Sequence, residues 1–248
     1  MIKYAGSISA KSRVLWVSIL FVSFIVFATP EAKAFGRKHV VATPNNPSAS
    51  PSSTGTSTSN HQPIDGAGSC VLSDPNHICI GLKIVSYVKN GVSVLTQTDA
   101  LKLVEEISTV WSQCNIGFQL ETYQAVDPTT KNLSFNSNWQ NDGDTIREMF
   151  NDNSSFLVVT VGKLSGSTIG VTEMPDAGVY GSLIEDAYAN NSLTVGHELG
   201  HYQGLFHVNS SANLMYAYIG DHTATLTADQ CATARQTDLS QWQTMIRH

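Results

Sequence analysis

One short stretch of the chain contains three histidines and a glutamate at spacings that suit a metal site. His197 and His201 are four residues apart, so a helix would place them on one face. Glu198 would lie beside that face, close enough to reach a metal-bound water. His207 lies about 9 Å beyond His201 along a continuing helix, so it can bind the same ion only if the chain turns back. Gly204 offers the place for that turn, because glycine readily adopts the left-handed conformation that ends helices.

Three histidine ligands would leave a fourth coordination position open, which is typical of catalytic rather than structural zinc sites. Structural sites usually close with four protein ligands, mostly cysteine, and the cysteines of this chain are distant in sequence from the histidines. Zinc lowers the pKa of a bound water to about 7, and Glu198 could accept its proton and deliver it to a leaving amine. The pattern therefore predicts one catalytic zinc ion with Glu198 as the general base.

These residues resemble the extended zinc motif of the metzincin metallopeptidases, which is accompanied by a methionine-containing turn. Met215 follows His207 within a Leu-Met-Tyr string that looks most like the matrixin branch. The resemblance implies that Met215 forms an apolar floor under the histidines without binding the ion, whereas the alternative is an ordinary core methionine. Val208 departs from the serine that matrixins usually carry after the third histidine, so the branch stays open.

Tyr218 lies shortly after this methionine, where astacins and serralysins place a tyrosine that contacts zinc or the transition state. The resemblance makes Tyr218 a candidate stabiliser of the transition state, and the alternative is that its ring only packs beneath the site. Asp142 and Asp144 flank a glycine and could join a calcium site, although two aspartates around a glycine more often form a plain turn. Nothing else in the sequence supports calcium.

Hydrophobic periodicity predicts the elements that must position these residues. Strands are expected at 78–88, 116–126, 156–161, 170–173 and 180–187, and helices at about 98–114, 193–203 and from 227 onward. Thr98 is the expected N-cap of the first helix, Asn191 or Ser192 of the second, and Thr227 with Gln230 forms a capping box for the last. The Asn- and Asp-rich stretch 127–152 receives no assignment.

This order of a strand, a helix, several strands and two helices indicates an α+β fold. The resemblance implies a metzincin-like catalytic domain, with a twisted mixed sheet, an active-site helix and a C-terminal helix. It also implies an edge strand near residues 170–175, which would pair with an extended peptide substrate.

The N-terminal residues follow the pattern of a secretory signal peptide over 1–34. Basic residues precede an apolar run from Val14 to Ala28, and cleavage is expected after Ala34. The run is shorter than the roughly 20 apolar residues of a spanning helix, and the alternative is an uncleaved membrane anchor. Residues 35–69 are rich in Pro, Ser, Thr, Asn and Gly, so they are expected to form a disordered linker or short pro-segment before a catalytic domain at 70–248.

Removal of residues 1–34 takes away four basic residues and one acidic residue, which moves the formal charge from −6 to −9. An acidic chain of this kind lacks the basic surface that binds nucleic acid or anionic membranes. Four cysteines in an exported chain predict disulfides with three open connectivities. The favoured one joins Cys70 to Cys79, which are close in sequence, and Cys114 to Cys231, in two predicted helices. A competing idea makes Cys70 or Asp65 a removable cover of the zinc in a latent form.

Together these features predict a monomeric zinc endopeptidase that is secreted or periplasmic and acts on extended protein segments. A second hypothesis is a zinc-binding module without activity, but the presence of Glu198 argues against it because binding zinc does not require that residue. A third is a zinc amidase or another hydrolase that uses the same ligands on a non-peptide bond. The zinc motif alone does not exclude this third class.

Overall fold

The computed structural model describes residues 64, 70–176, 178–218 and 223–248. The signal peptide and nearly all of the linker that the sequence predicts lie outside these residues, as does Asp65. Within the described ranges, no helix is both long enough and apolar enough to cross a membrane.

A mixed sheet lies at the centre of the described chain. Its strands are β1 (Ile78–Lys89), β2 (Val92–Ser93), β3 (Ile116–Val126), β4 (Phe156–Val161), β5 (Gly170–Thr172), β6 (Ser182–Glu185) and β7 (Ile246–Arg247). β1 is parallel to both β3 and β4, and β4 is parallel to β6. β5 runs antiparallel to β6 and is the last strand in the sheet order. β5 is thus an edge strand, the position at which an extended peptide can be added to a sheet.

The helices are α1 (Gln97–Trp111), α2 (Trp139–Phe150), α3 (Ser192–Tyr202) and α4 (Ala228–Gln241). α1 buries an apolar face with helical spacing and contacts α3 through Trp111, whose indole N–H donates to the carbonyl of Gly196 at 3.2 Å. The predicted cap at Thr98 is wrong. Thr96 caps α1 instead, because its hydroxyl accepts from the backbone N–H of Asp99 and also contacts the Asp99 carboxylate.

α4 begins with the predicted capping box, in which Thr227 and Gln230 each accept from the other's backbone N–H. After α4 the chain returns to the core, where the indole N–H of Trp242 donates to the carbonyl of Tyr202 at the end of α3. The C-terminal β7 then pairs with β1. α4 therefore belongs to the same core as the helix that carries the histidine motif.

Both favoured disulfides are confirmed. Cys70 is bonded to Cys79 at the start of β1, and Cys114, just beyond α1, is bonded to Cys231 in α4. The idea that Cys70 covers a zinc ion is wrong for this structure, because its sulfur is already used in a disulfide.

α2 occupies the stretch that the sequence left unassigned. It buries Gly143, Ile146, Arg147 and Phe150. The expectation of a plain turn around Gly143 is wrong, since Asp142 and Asp144 both lie within this helix. The Asp142 carboxylate accepts from the backbone N–H of Asn138, and Asp144 forms an ion pair with Arg147. The predicted α+β architecture is confirmed, with α2 as an addition that the sequence did not reveal.

Candidate metal centre

α3 places His197 and His201 on one face, one helical turn apart. The helix begins at Asn191, whose side chain accepts from the backbone N–H of Thr194 at 2.9 Å. Nδ1 of His197 lies 2.7 Å from the carbonyl oxygen of Leu214, and Nδ1 of His201 lies 2.8 Å from that of Leu205. A carbonyl can only accept, so both Nδ1 atoms carry the proton and both Nε2 atoms present a lone pair.

The predicted turn after α3 is present at Gly204. This glycine has φ +78°, and its backbone N–H donates to the carbonyl of His201. The backbone N–H of Leu205 donates to the carbonyl of Gly200 in the same turn. His207 is thereby carried back toward the helix, with its Nε2 atom 3.1 Å from Nε2 of both His197 and His201.

The three histidines fit a zinc ion by chemistry and by spacing. Their candidate ligand atoms all lie within 4.8 Å of one another. Three nitrogens at zinc–nitrogen bond lengths of about 2.0–2.1 Å in a tetrahedral site would be about 3.3 Å apart. Burial lowers the pKa of His201 to about 4 and lowers the pKa of His207 as well. Both imidazoles are therefore neutral at physiological pH, which is the state that binds a metal.

Glu198 lies beside this cluster and is almost completely buried. Burial raises the pKa of its carboxyl to about 7, while the hydrogen bond from Thr172 and the charge of Arg147 act in the opposite direction. The Thr172 hydroxyl lies 2.7 Å from Oε2 of Glu198. The carboxyl group also packs against β5 at Gly170, where an added Cβ would lie only 2.5 Å from Oε1.

Met215 lies directly under α3. Its side chain is completely buried, and a Cβ added at Gly200 would collide with its sulfur. The backbone on either side is fixed, since the Met215 carbonyl accepts from Val208 and the Leu214 carbonyl accepts from His197. Met215 therefore packs against α3 as part of the main hydrophobic core, and its role as an apolar floor stays a prediction.

Tyr218 lies at the wall of the candidate site and not beneath it. Its side chain is 69% exposed, so the alternative that its ring only packs under the site is wrong. The wall belongs to a cavity of about 560 Å³ that also contains His197, Glu198 and His207. Four aromatic residues line this cavity: Trp139, Tyr188, Tyr216 and Tyr218.

Several residues of the site were not identified from the sequence. Thr172 and Gly170 contact Glu198 from β5, and Trp139 reaches the cavity from the start of α2. Only the predicted edge strand pointed toward the first two, because a strand beside the active-site helix must place some residues against it. No local pattern pointed to Trp139, since α2 itself was not predicted.

Comparison with known proteins identifies a family that the chain matches. The model of the family described as Matrixin matches residues 83–237, which is more than half of the 248-residue chain. No curated protein matches the chain.

The solved structures that are similar to this one include a metalloproteinase and a chaperone–substrate complex. The metalloproteinase-II of Bacteroides fragilis aligns with a TM-score of 0.45 and 16% identity, over 65% of this chain and 53% of that chain. A structure described as a chaperone–substrate complex aligns with a TM-score of 0.50 and 11% identity, over 70% of this chain and 36% of that chain. The present chain thus spans about half the length of the first and about a third of the second. At this identity the second likeness concerns the fold alone.

Proposed function

Because the chain belongs to the matrixin family of peptidases, we propose that it is a zinc-dependent endopeptidase that hydrolyses peptide bonds in extended protein segments. The family match also confirms the predicted resemblance to matrixin-like metzincins. The observation that carries the proposal is the convergence of three histidine nitrogens beside a buried glutamate in one cavity.

The substrate would bind as an added strand along β5. Gly170 and Val171 of this edge strand line the same cavity as Glu198 and His197, so a peptide paired with β5 passes directly over the candidate metal centre. Main-chain hydrogen bonds to the strand supply affinity, and pockets for alternate side chains supply specificity. A bound side chain would enter the cavity between the strand and the wall formed by Tyr216 and Tyr218.

His197, His201 and His207 would hold the ion through their Nε2 atoms. A zinc ion held there supplies a Lewis acid for the scissile carbonyl and makes a coordinated water more acidic. Glu198 accepts the proton released by the attacking water and returns it to the leaving amine. Oε2 is engaged by Thr172, so Oε1 is the oxygen that exchanges this proton.

A location outside the cytoplasm and a monomeric state complete the proposal. The signal-peptide pattern of residues 1–34 and the two disulfides support export, since disulfides persist in oxidising compartments. N-terminal sequencing of the exported protein should begin at Phe35. Size-exclusion chromatography should give the mass of one chain.

The activity is tested by incubating the purified protein with an unbiased peptide library and reading the products by mass spectrometry. Glu198→Ala should retain zinc but lose cleavage, because the ligands stay and the base is removed. Glu105→Ala is the matched control, since it removes an exposed glutamate of α1 away from the cavity. If wild type holds zinc and cuts no peptide, a metal-binding module without activity is the better interpretation. A zinc hydrolase for non-peptide bonds would instead show turnover of amide or ester substrates by the same protein.

A further inference from the structure

A line of hydroxyl groups leads from the interior of the sheet to the Glu198 carboxylate. Ser182 of β6 is completely buried and is the register partner of Thr172 in β5. Their hydroxyl oxygens are 2.7 Å apart, and the Thr172 hydroxyl is also 2.7 Å from Oε2 of Glu198. A residue of the edge strand therefore contacts the glutamate that the zinc motif provides.

The direction of these hydrogen bonds follows from the charge on Glu198. An ionised carboxylate only accepts, so the Thr172 hydroxyl donates to Oε2 and its oxygen accepts from the Ser182 hydroxyl. When a proton is added at Oε1, Oε2 is still an acceptor, so the hydrogen bond from Thr172 keeps its direction. The pair can therefore hold the carboxyl group in one orientation before and after it takes up a proton.

The backbone that carries the two hydroxyls is itself fixed by Arg147 of α2, which is 1% exposed. Its Nε–H donates to the carbonyl of Gly181 at 2.9 Å, and Nη2 reaches the carbonyl of Val171 at 3.4 Å. These carbonyls belong to the residues just before Ser182 and Thr172. One buried guanidinium thus restrains both strands at the point where the hydroxyls meet.

From these contacts we propose that Thr172, supported by Ser182, is a positioning residue that holds Oε2 of Glu198 and leaves Oε1 to exchange the proton. The proposal rests on the peptidase function given above. It implies that the strand that binds the peptide also orients the base, so that the register of the peptide and the position of the carboxylate are set by the same element.

The test compares Thr172→Val, which removes the hydroxyl but keeps the branched shape, with Thr172→Ser, which keeps the hydroxyl. We expect Thr172→Val to lower kcat by about 10–100-fold, a part of the 10²–10⁴-fold that a positioned base contributes. KM and the zinc content should stay within about twofold of wild type, because the contact is to the base and not to substrate or ion. Thr172→Ser should recover most of kcat. Thr160→Val is the matched control, since Thr160 is equally a sheet threonine, fully buried in β4 and paired with Ile184.

Crystal structures of the variants without substrate provide a readout that is independent of turnover. The Glu198 carboxylate should keep its position in Thr172→Ser and leave it in Thr172→Val. An unchanged carboxylate in Thr172→Val, or a wild-type kcat in that variant, would overturn the proposal. A rise in KM alone would also overturn it, because Thr172 would then act on peptide binding. If wild type itself does not cut peptides, the proposed function fails, whereas the carboxylate positions still decide whether Thr172 orients Glu198.

Discussion

Backbone carbonyls orient the candidate ligands of α3. The Nδ1–H groups of His197 and His201 donate to the carbonyls of Leu214 and Leu205, both of which belong to the chain that follows the helix. Such contacts fix the tautomer and the ring plane of a histidine ligand. The turn at Gly204 thus has two functions, because it returns His207 to the site and also supplies one of the carbonyls that align the other ligands.

The role of Tyr218, an exposed residue of the cavity wall, can be tested by removing its hydroxyl oxygen. If its hydroxyl stabilises negative charge on the substrate in the transition state, Tyr218→Phe should lower kcat by up to about 10²-fold, the lower end for one oxyanion donor. KM should change little, because the ring that lines the cavity is kept. The measurement is steady-state cleavage of the best library peptide.

Tyr216→Phe serves as the control for this prediction, because the two rings contact each other with centroids 5.4 Å apart. If both variants lose the same activity, the effect is not specific to the Tyr218 hydroxyl. If Tyr218→Phe is as active as wild type, the hydroxyl has no role in stabilising the transition state.

The candidate ligands could be predicted from the sequence because the information is local. His197, His201 and His207 lie within one helix and one turn, and their spacing alone requires the chain to fold back. The contact between Thr172 and Glu198 could not be predicted in this way. It depends on the register of β5 against β6 and on how the sheet packs against α3, which no short pattern encodes.

α3 contains two glycines, at 196 and 200, that face different surroundings. A Cβ at Gly200 would collide with Met215, whereas a Cβ at Gly196 would meet its nearest atom, in Trp111, at 3.7 Å. Gly200→Ala should therefore cost about 1–3 kcal/mol of unfolding free energy by overpacking. Gly196→Ala should be neutral or stabilising by up to about 1 kcal/mol, because alanine favours helix.

Thermal unfolding of the two variants checks this prediction, and the zinc affinity adds a second readout. Displacement of Met215 should weaken zinc binding in Gly200→Ala, since the methionine supports the helix that carries two of the candidate ligands. Equal stabilities for the two variants would show that Met215 moves aside at no cost and is not a rigid floor.

The elements differed in how well the sequence revealed them. β3 and β4 match their predicted bounds for different reasons. β4 is buried throughout and reads as a continuous apolar run, whereas β3 was recognised by its alternation. α2 was missed because its stretch is rich in Asn and Asp, contains Gly143 and buries a charged residue, Arg147. The carbonyls that Arg147 contacts, in β5 and just before β6, are distant in sequence, so its burial could not be foreseen.

At the scale of the whole molecule, the metal should stabilise the fold. An ion that binds only the folded state adds about 2.7 kcal/mol when its concentration is a hundred times its Kd. Treatment with a chelator should therefore lower the Tm of wild type, and added zinc should restore it. His201→Ala should have a low Tm that responds to neither treatment. A chelator-sensitive Tm in His201→Ala would place the stabilising ion elsewhere in the chain.

The two disulfides allow a matched test of how chain connectivity stabilises the molecule. Each joins one buried cysteine to one partly exposed cysteine, so replacing either pair by alanine removes similar packing. The buried members are Cys79 and Cys114, and the partly exposed members are Cys70 and Cys231. The bonds differ in sequence separation, which is 9 for Cys70–Cys79 and 117 for Cys114–Cys231. On the chain-entropy model, the longer loop should contribute about 2 kcal/mol more stability. Denaturant unfolding of the two double-alanine variants measures this difference. α4 and the contact of Trp242, just after it, with Tyr202 should loosen when the long loop is opened. Equal losses in the two variants would mean that local packing, and not restriction of the unfolded chain, accounts for the stabilisation.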